Sequence, residues 1–194
     1  MPVEYLKETP SQTAGPYVHI GTMPAFAGLD MRTQETQNIL AASGTPDVIR
    51  IEGLVWDGAG SLVKDAMIEL WQADPSGHYS TAGFSGWGRA AADGKTGEWS
   101  FETVKPGPTL WRFGQMQAPH VSLLIFARGI NIHLHTRMYF PEDAELMAKD
   151  PAMSRIEQPE QRQTLIGVSK PGPLPTYRFE IHLQGDRETT FFDM

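Results

Sequence analysis

The sequence has no cysteine among its 194 residues. That removes disulfides, iron–sulfur clusters, thiolate zinc sites and a cysteine nucleophile from consideration. It has no apolar run of about 18 residues, the length a membrane-spanning helix needs. Its opening, Met1-Pro2-Val3-Glu4-Tyr5-Leu6-Lys7-Glu8, lacks the basic and apolar regions of a secretory leader, so a cytoplasmic location is expected. Lys and Arg number 16 against 23 Asp and Glu, a net charge of −7. No basic cluster interrupts that balance, which argues against a nucleic-acid partner. The glycine-spaced stretch Gly83–Gly94 fits neither phosphate-binding loop pattern. No Ser–His–Asp arrangement can be argued from the order of residues, and neither repeats nor low-complexity tracts are present.

What is there is an ordinary globular composition, 40% hydrophobic and 20% charged, with 19 Gly and 15 Pro. The length suits one domain, or two small ones, and is enough for a sizeable core, and the scattered Gly and Pro favour turns over long helices. Val48–Trp56 is rich in β-branched residues and ends at Asp57-Gly58, a hairpin-type turn signal. Ala66–Trp71 continues after it. In Glu98–Thr103, Trp99, Phe101 and Thr103 alternate with Glu98, Ser100 and Glu102. Thr176–Leu183 places Tyr177, Phe179, Ile181 and Leu183 on one face. Pro119–Arg128 and His133–Phe140 read as two core strands around a turn at Gly129. Helix is expected at Met31–Ala42, and as two or three short pieces within 141–166, broken by Pro151 and Pro159. Short strands with one helical insert predict a mostly β fold, an antiparallel β-sandwich or barrel. Residues 1–40 read as an extended arm and linker, because Thr9-Pro10-Ser11-Gln12-Thr13-Ala14-Gly15-Pro16-Tyr17 cannot build a core.

Six histidines are present: His19, His78, His120, His133, His135 and His182. His133 and His135, two apart on a strand, share a face and have the spacing of a chelating pair. The same face carries Arg137 and Tyr139, and a guanidinium disfavours a metal, so structure or a subunit interface is the stronger reading. His120 and Ser122 share a face with Leu124 and Phe126, the setting of a hydrogen-bonded core histidine. Arg128 closes the apolar run Leu123–Ala127. An arginine there is ordinarily solvated, but its planar fork also suits a carboxylate or phenolate.

Several of these segments together carry a resemblance. They are Thr9–Tyr17; Glu69-Leu70-Trp71-Gln72-Ala73-Asp74 with Gly77-His78-Tyr79; Val104-Lys105-Pro106-Gly107; and Ala118-Pro119-His120-Val121 with Phe126-Ala127-Arg128-Gly129. In combination they resemble the intradiol ring-cleaving dioxygenases, nearly end to end. The resemblance implies a single β-sandwich domain over 1–194 and an assembly of alpha and beta chains. It implies cleavage of protocatechuate by O2 between its two hydroxyls to 3-carboxy-cis,cis-muconate, in aromatic catabolism of the beta-ketoadipate type. It implies Fe(III) held by two tyrosinates, two histidines and solvent, the hard phenolates stabilising the ferric state.

By that resemblance the ligand positions fall on Tyr79, Thr109, His120 and Ser122. The first and third match; the second and fourth do not. A threonine hydroxyl is a poor substitute for tyrosinate, and serine has no imidazole lone pair. The expectation is therefore that this chain holds no metal, that its four positions are vestigial, and that Fe(III) belongs to the beta chain. Trp111 and Arg112, which follow the missing tyrosine, are expected to keep packing roles. The resemblance also places Thr13, Ala14, Gly15, Pro16, Tyr17 and Arg128 along the substrate pocket, with Arg128, Thr13 and Tyr17 contributing to catalysis there. The alternatives beside this are a purely structural subunit, and an autonomous dioxygenase with an altered iron site or a β-sandwich binding module.

Overall fold

Alternating burial along short strands builds two facing sheets. The computed structural model describes residues 7, 10, 12–24, 28, 38–41 and 44–193. The elements are α1 (Val18–Thr22), β1 (Val48–Gly53), β2 (Val55–Trp56), β3 (Met67–Trp71), β4 (Trp87–Ala91), β5 (Trp99–Val104), β6 (Thr109–Leu110), β7 (Met116–Gln117), β8 (His120–Phe126), β9 (Leu134–Tyr139), α2 (Ala144–Met147), α3 (Pro159–Gln163), β10 (Val168–Lys170), β11 (Thr176–Arg178) and β12 (Ile181–His182). One sheet runs β10-β11-β1-β5 and the other β4-β3-β8-β9, with small pairs β12-β2 and β6-β7.

The inner faces meet in one core. Ile49 and Ile51 of β1, Trp99 and Phe101 of β5, Ile68 and Leu70 of β3, and Val121, Leu123 and Ile125 of β8 pack into a single buried cluster. Register follows the alternation: Ile51 lies opposite Phe101, Leu70 opposite Leu123, and Ile68 opposite Ile125. The fold is thus the expected mostly β sandwich, with most pairings antiparallel. Among the described strand pairs the exceptions are β1–β11 and β2–β12, which are parallel. The C-terminal run returns beside β1 after a long excursion, the kind of connection a parallel pair requires.

That run departs from the single strand read over Thr176–Leu183. It breaks after Arg178 and moves from β1 to β2, while Tyr177, Phe179 and Ile181 all stay buried. Gly53 makes the crossing possible, since a Cβ there would sit 1.8 Å from the Phe179 carbonyl oxygen. The helix expected at Met31–Ala42 lies outside the described residues except at 38–41. There the chain is extended instead: Leu40 N–H donates to the Glu102 carbonyl at 2.8 Å and Ile39 bridges Glu102. Conversely, the arm holds a helical turn, α1, that its composition did not suggest. The Thr22 hydroxyl closes that turn on the Val18 carbonyl at 2.6 Å.

Segment 141–166 carries two 3-10 turns, Pro141–Asp143 and Met153–Arg155, besides α2 and α3. With the C-terminal Phe192 it covers the outer face of β9, forming a second apolar cluster around Tyr139, Met147, Met153 and Leu165. Asp150, fully buried, anchors this cover. Its carboxylate accepts from the amides of Ala118, Ala152 and Met153 and from the Tyr139 hydroxyl.

Candidate functional site

Two residue groups matter, and they occupy opposite ends of β8. The first is built where the Trp71–Tyr79 and Lys105–Pro108 segments meet. Gln72 is fully buried and bonds on every side: its amide donates to the Val104 and Ala73 carbonyls at 2.9 and 3.0 Å, and it accepts from the Thr103 hydroxyl at 2.9 Å. It thereby ties the end of β3 to the end of β5. Asp74 folds the next turn by accepting from the Ser76 and His78 amides. Gly107 packs so close that its amide reaches the Asp74 carbonyl at 2.9 Å. These bonds explain why the two motifs occur together, and they set Tyr79 beside Thr109.

Tyr79 stacks on Trp71 with ring centroids 5.7 Å apart and planes at 9°. Burial pushes its phenol above the ordinary value, opposed by the Thr109 hydroxyl and the Arg137 guanidinium. Thr109 is buried and donates to Gln117 Oε1 at 3.3 Å across the β6–β7 pair. His120 is buried, with Nδ1 2.8 Å from the Ala118 carbonyl. A carbonyl only accepts, so Nδ1 carries the proton. Burial first, and Arg137 second, push its pKa down to about 4, leaving the ring neutral near pH 7. Ser122 lies opposite Trp71 on one side and Arg137 on the other. Among the described residues no hydrogen bond joins Tyr79 to His120; each has other neighbours, Trp71 and Thr109 for the first, Ala118 and Tyr139 for the second.

Arg137 dominates this end. It is 6% exposed, with its guanidinium between the Trp111 and Phe192 rings, 5.6 and 5.5 Å from their centroids. Nη1 donates a long bond, 3.4 Å, to the Tyr139 hydroxyl. Among the described residues no carboxylate lies within ion-pair distance of it. Trp111 therefore does pack here, whereas Arg112 lies exposed over the same ring at 5.9 Å. The donor set does not fit ferric iron. It offers two alcohols, one phenol whose ionisation burial opposes, and one imidazole, with a fixed cation opposite Ser122. The two further histidines divide. His135 is buried against Phe192, with Nδ1 unpartnered among the described residues and its pKa pushed down to about 4 by burial and then by Arg137. That burial removes it from any exposed interface. His133 is exposed and tilts over Phe126.

The second group gathers at the other end. The Thr13 hydroxyl donates to the Ala127 carbonyl at 3.3 Å and accepts from the Gly129 amide at 3.0 Å, so it brackets Arg128. Gly15, at φ +74°, turns the arm over this loop, a conformation an L side chain resists. Ala14, Pro16 and Tyr17 follow on the surface, Tyr17 72% exposed. The Arg128 side chain is 64% exposed and pairs with Asp65, Nε to Oδ2, at 3.2 Å. Further along, Arg89 fixes the arm by donating to the Thr22 carbonyl at 3.1 Å while pairing with Glu69 at 2.7 Å. β8 runs from His120 to Phe126, about 20 Å at roughly 3.3 Å per residue, and Arg128 lies in the turn beyond its far end. Thr13, Gly15 and Arg128 come together, but not with Tyr79, Thr109, His120 and Ser122. Sequence reasoning did not single out Asp65. Its only signal is its place two residues before β3.

A family model described as a dioxygenase matches residues 22–185. The chain belongs to this family, the intradiol ring-cleaving dioxygenases. Within it, the chain is 48% identical to the protocatechuate 3,4-dioxygenase alpha chain of Pseudomonas putida, across the full length of both. It is 37% identical to the alpha chain of Burkholderia cepacia, covering 97% of this chain and 98% of the other. The beta chain from Burkholderia cepacia is 28% identical, over 71% of this chain and 64% of its own. Among solved structures, the dioxygenase domain of a carbohydrate-binding fusion from Streptomyces sp. SirexAA-E superposes with a TM-score of 0.61 at 22% identity, covering 83% and 93% of the two chains. The 3-chlorocatechol 1,2-dioxygenase of Rhodococcus opacus 1CP gives 0.60 at 18% identity, covering 79% and 68%. Both likenesses speak for the fold.

Proposed function

We propose that this chain is the alpha-type subunit of a protocatechuate 3,4-dioxygenase. In this reading the beta chain carries Fe(III), and the complex cleaves protocatechuate with O2 to 3-carboxy-cis,cis-muconate in the cytoplasm. The chain is one domain over 1–194 with an N-terminal arm, and its own ligand positions, Tyr79, Thr109, His120 and Ser122, are vestigial. The observation that carries the reading is the surface group at Arg128. Thr13 fixes the backbone around an exposed guanidinium, far from this chain's own relic positions, so its charge is available to another chain.

Arg128 would supply a fixed cation toward the substrate's carboxylate or developing phenolate, where a preorganised charge acts without reorganisation. Gly15 and Pro16 would form a close, rigid wall, Tyr17 would supply a hydroxyl to substrate or pocket water, and Thr13, whose hydroxyl bonds Ala127 and Gly129, would act by holding the Arg128 loop. A scaffold-only subunit makes a different prediction for the same variants. The chain is expressed alone and with a beta chain, and iron and tyrosinate-to-iron colour are measured in each. Colour and turnover are expected only with the partner. In that complex, Arg128→Ala and Thr13→Ala are expected to lower kcat/KM about tenfold or more, a loss of at least about 1.4 kcal/mol. Unchanged kinetics in both variants would establish the scaffold reading.

A further inference from the structure

We infer that Asp65 is the positioning residue that holds the Arg128 head group in its working orientation. This rests on the proposed pocket role of Arg128. Two separate devices act on that arginine. The Thr13 hydroxyl bonds the peptide groups on either side of it, which fixes its backbone and leaves four side-chain torsions free. Asp65 Oδ2 then meets Nε at 3.2 Å, the sole ion pair of Arg128 among the described residues. The carboxylate approaches at the Nε position, so the Nη1–Nη2 edge, which matches a carboxylate in a two-point fork, keeps its donors for an external anion.

Fold stability does not explain the pair. With the arginine 64% exposed, its attraction to Asp65 is screened by water and contributes little to folding. Yet the carboxylate is itself largely buried, 16% exposed, and among the described residues its Oδ1 has no hydrogen-bond partner. A buried acceptor without a donor is a cost to the fold. Orienting Arg128 supplies the gain. The position is suited to it, because Asp65 stands at the entry to β3, and β3 pairs along its length with β8, whose end carries Arg128.

The test uses the alpha–beta complex and oxygen uptake with protocatechuate. Asp65→Asn keeps the shape and removes the charge. It is expected to raise KM about fivefold with kcat within about twofold, the pattern of lost substrate positioning. Asp65→Glu is expected to recover a KM within about twofold of the parent. In an Arg128→Ala background, Asp65→Asn is expected to add no further change, since coupled residues are not additive. If Arg128→Ala raises KM and Asp65→Asn does not, the positioning role is wrong and the pocket role of Arg128 stands. If Arg128→Ala has no effect, both fall. If Asp65→Asn alters KM equally with and without Arg128, the residue acts on the fold and not through the arginine. Should Asp65→Asn fail to assemble, Asp65→Glu decides alone: assembly with a KM shift below twofold supports the role, and a fivefold rise refutes it.

Discussion

Acid should destabilise this chain through His120, and the size of the effect can be worked out. The ring is buried, donates from Nδ1 to the Ala118 carbonyl and faces the Arg137 guanidinium. Its pKa falls from 6.5 to about 4 in the folded chain. The unfolded state then binds a proton at mildly acidic pH that the folded state refuses. A depressed histidine thus contributes no penalty above pH 6.5, and stability is lost progressively as pH falls from there toward 4. Between pH 7.5 and 4.5 the loss from this one group is about 2.5 kcal/mol. That is a large share of the roughly 5–15 kcal/mol that holds an ordinary domain together. Urea unfolding followed by tryptophan fluorescence measures it. His120→Gln removes the titration while keeping an amide to bond the Ala118 carbonyl, so its stability should fall by about 2.5 kcal/mol less than the parent's over that interval. Carboxylates contribute equally to both proteins and cancel in the difference. Arg137→Gln removes the second cause and should shrink the acid loss as well. Equal losses in the parent and His120→Gln would refute the reasoning, whatever the absolute stabilities.

Two other perturbations test how the fold builds the first residue group. Gln72→Leu leaves the Thr103 hydroxyl and the Val104 carbonyl buried without their partners and should cost about 2–4 kcal/mol, read as a lower urea midpoint at unchanged slope. Gly53→Ala forces a methyl onto the Phe179 carbonyl and should cost about 3 kcal/mol or prevent folding, whereas Gly94→Ala, with open space at its Cβ, should be nearly neutral by thermal melting.

Much of this protein was legible along the chain. Strand alternation in Val48–Trp56, Glu98–Thr103 and Thr176–Leu183 reports which side chains face a core, because side-chain direction in extended chain depends only on local geometry. The alcohols at 109 and 122 are likewise chemical facts of the sequence, and they already speak against a ferric site. The shared face of His135, Arg137 and Tyr139 followed from spacing alone. What spacing did not supply is partnership. That Arg137 stands opposite Ser122 depends on the register of β8 against β9, and a one-residue slip would have turned it to the other face. That Thr13 reaches Ala127 and Gly129, 114 and 116 positions further along the chain, depends on how the arm lies across the second sheet. That Asp65 meets Arg128 depends on β3 and β8 being neighbours. The separation of the two residue groups to opposite ends of one strand follows from the same closure of distant segments. Local preferences act over a few residues, whereas these contacts form only when the whole sandwich closes around its core.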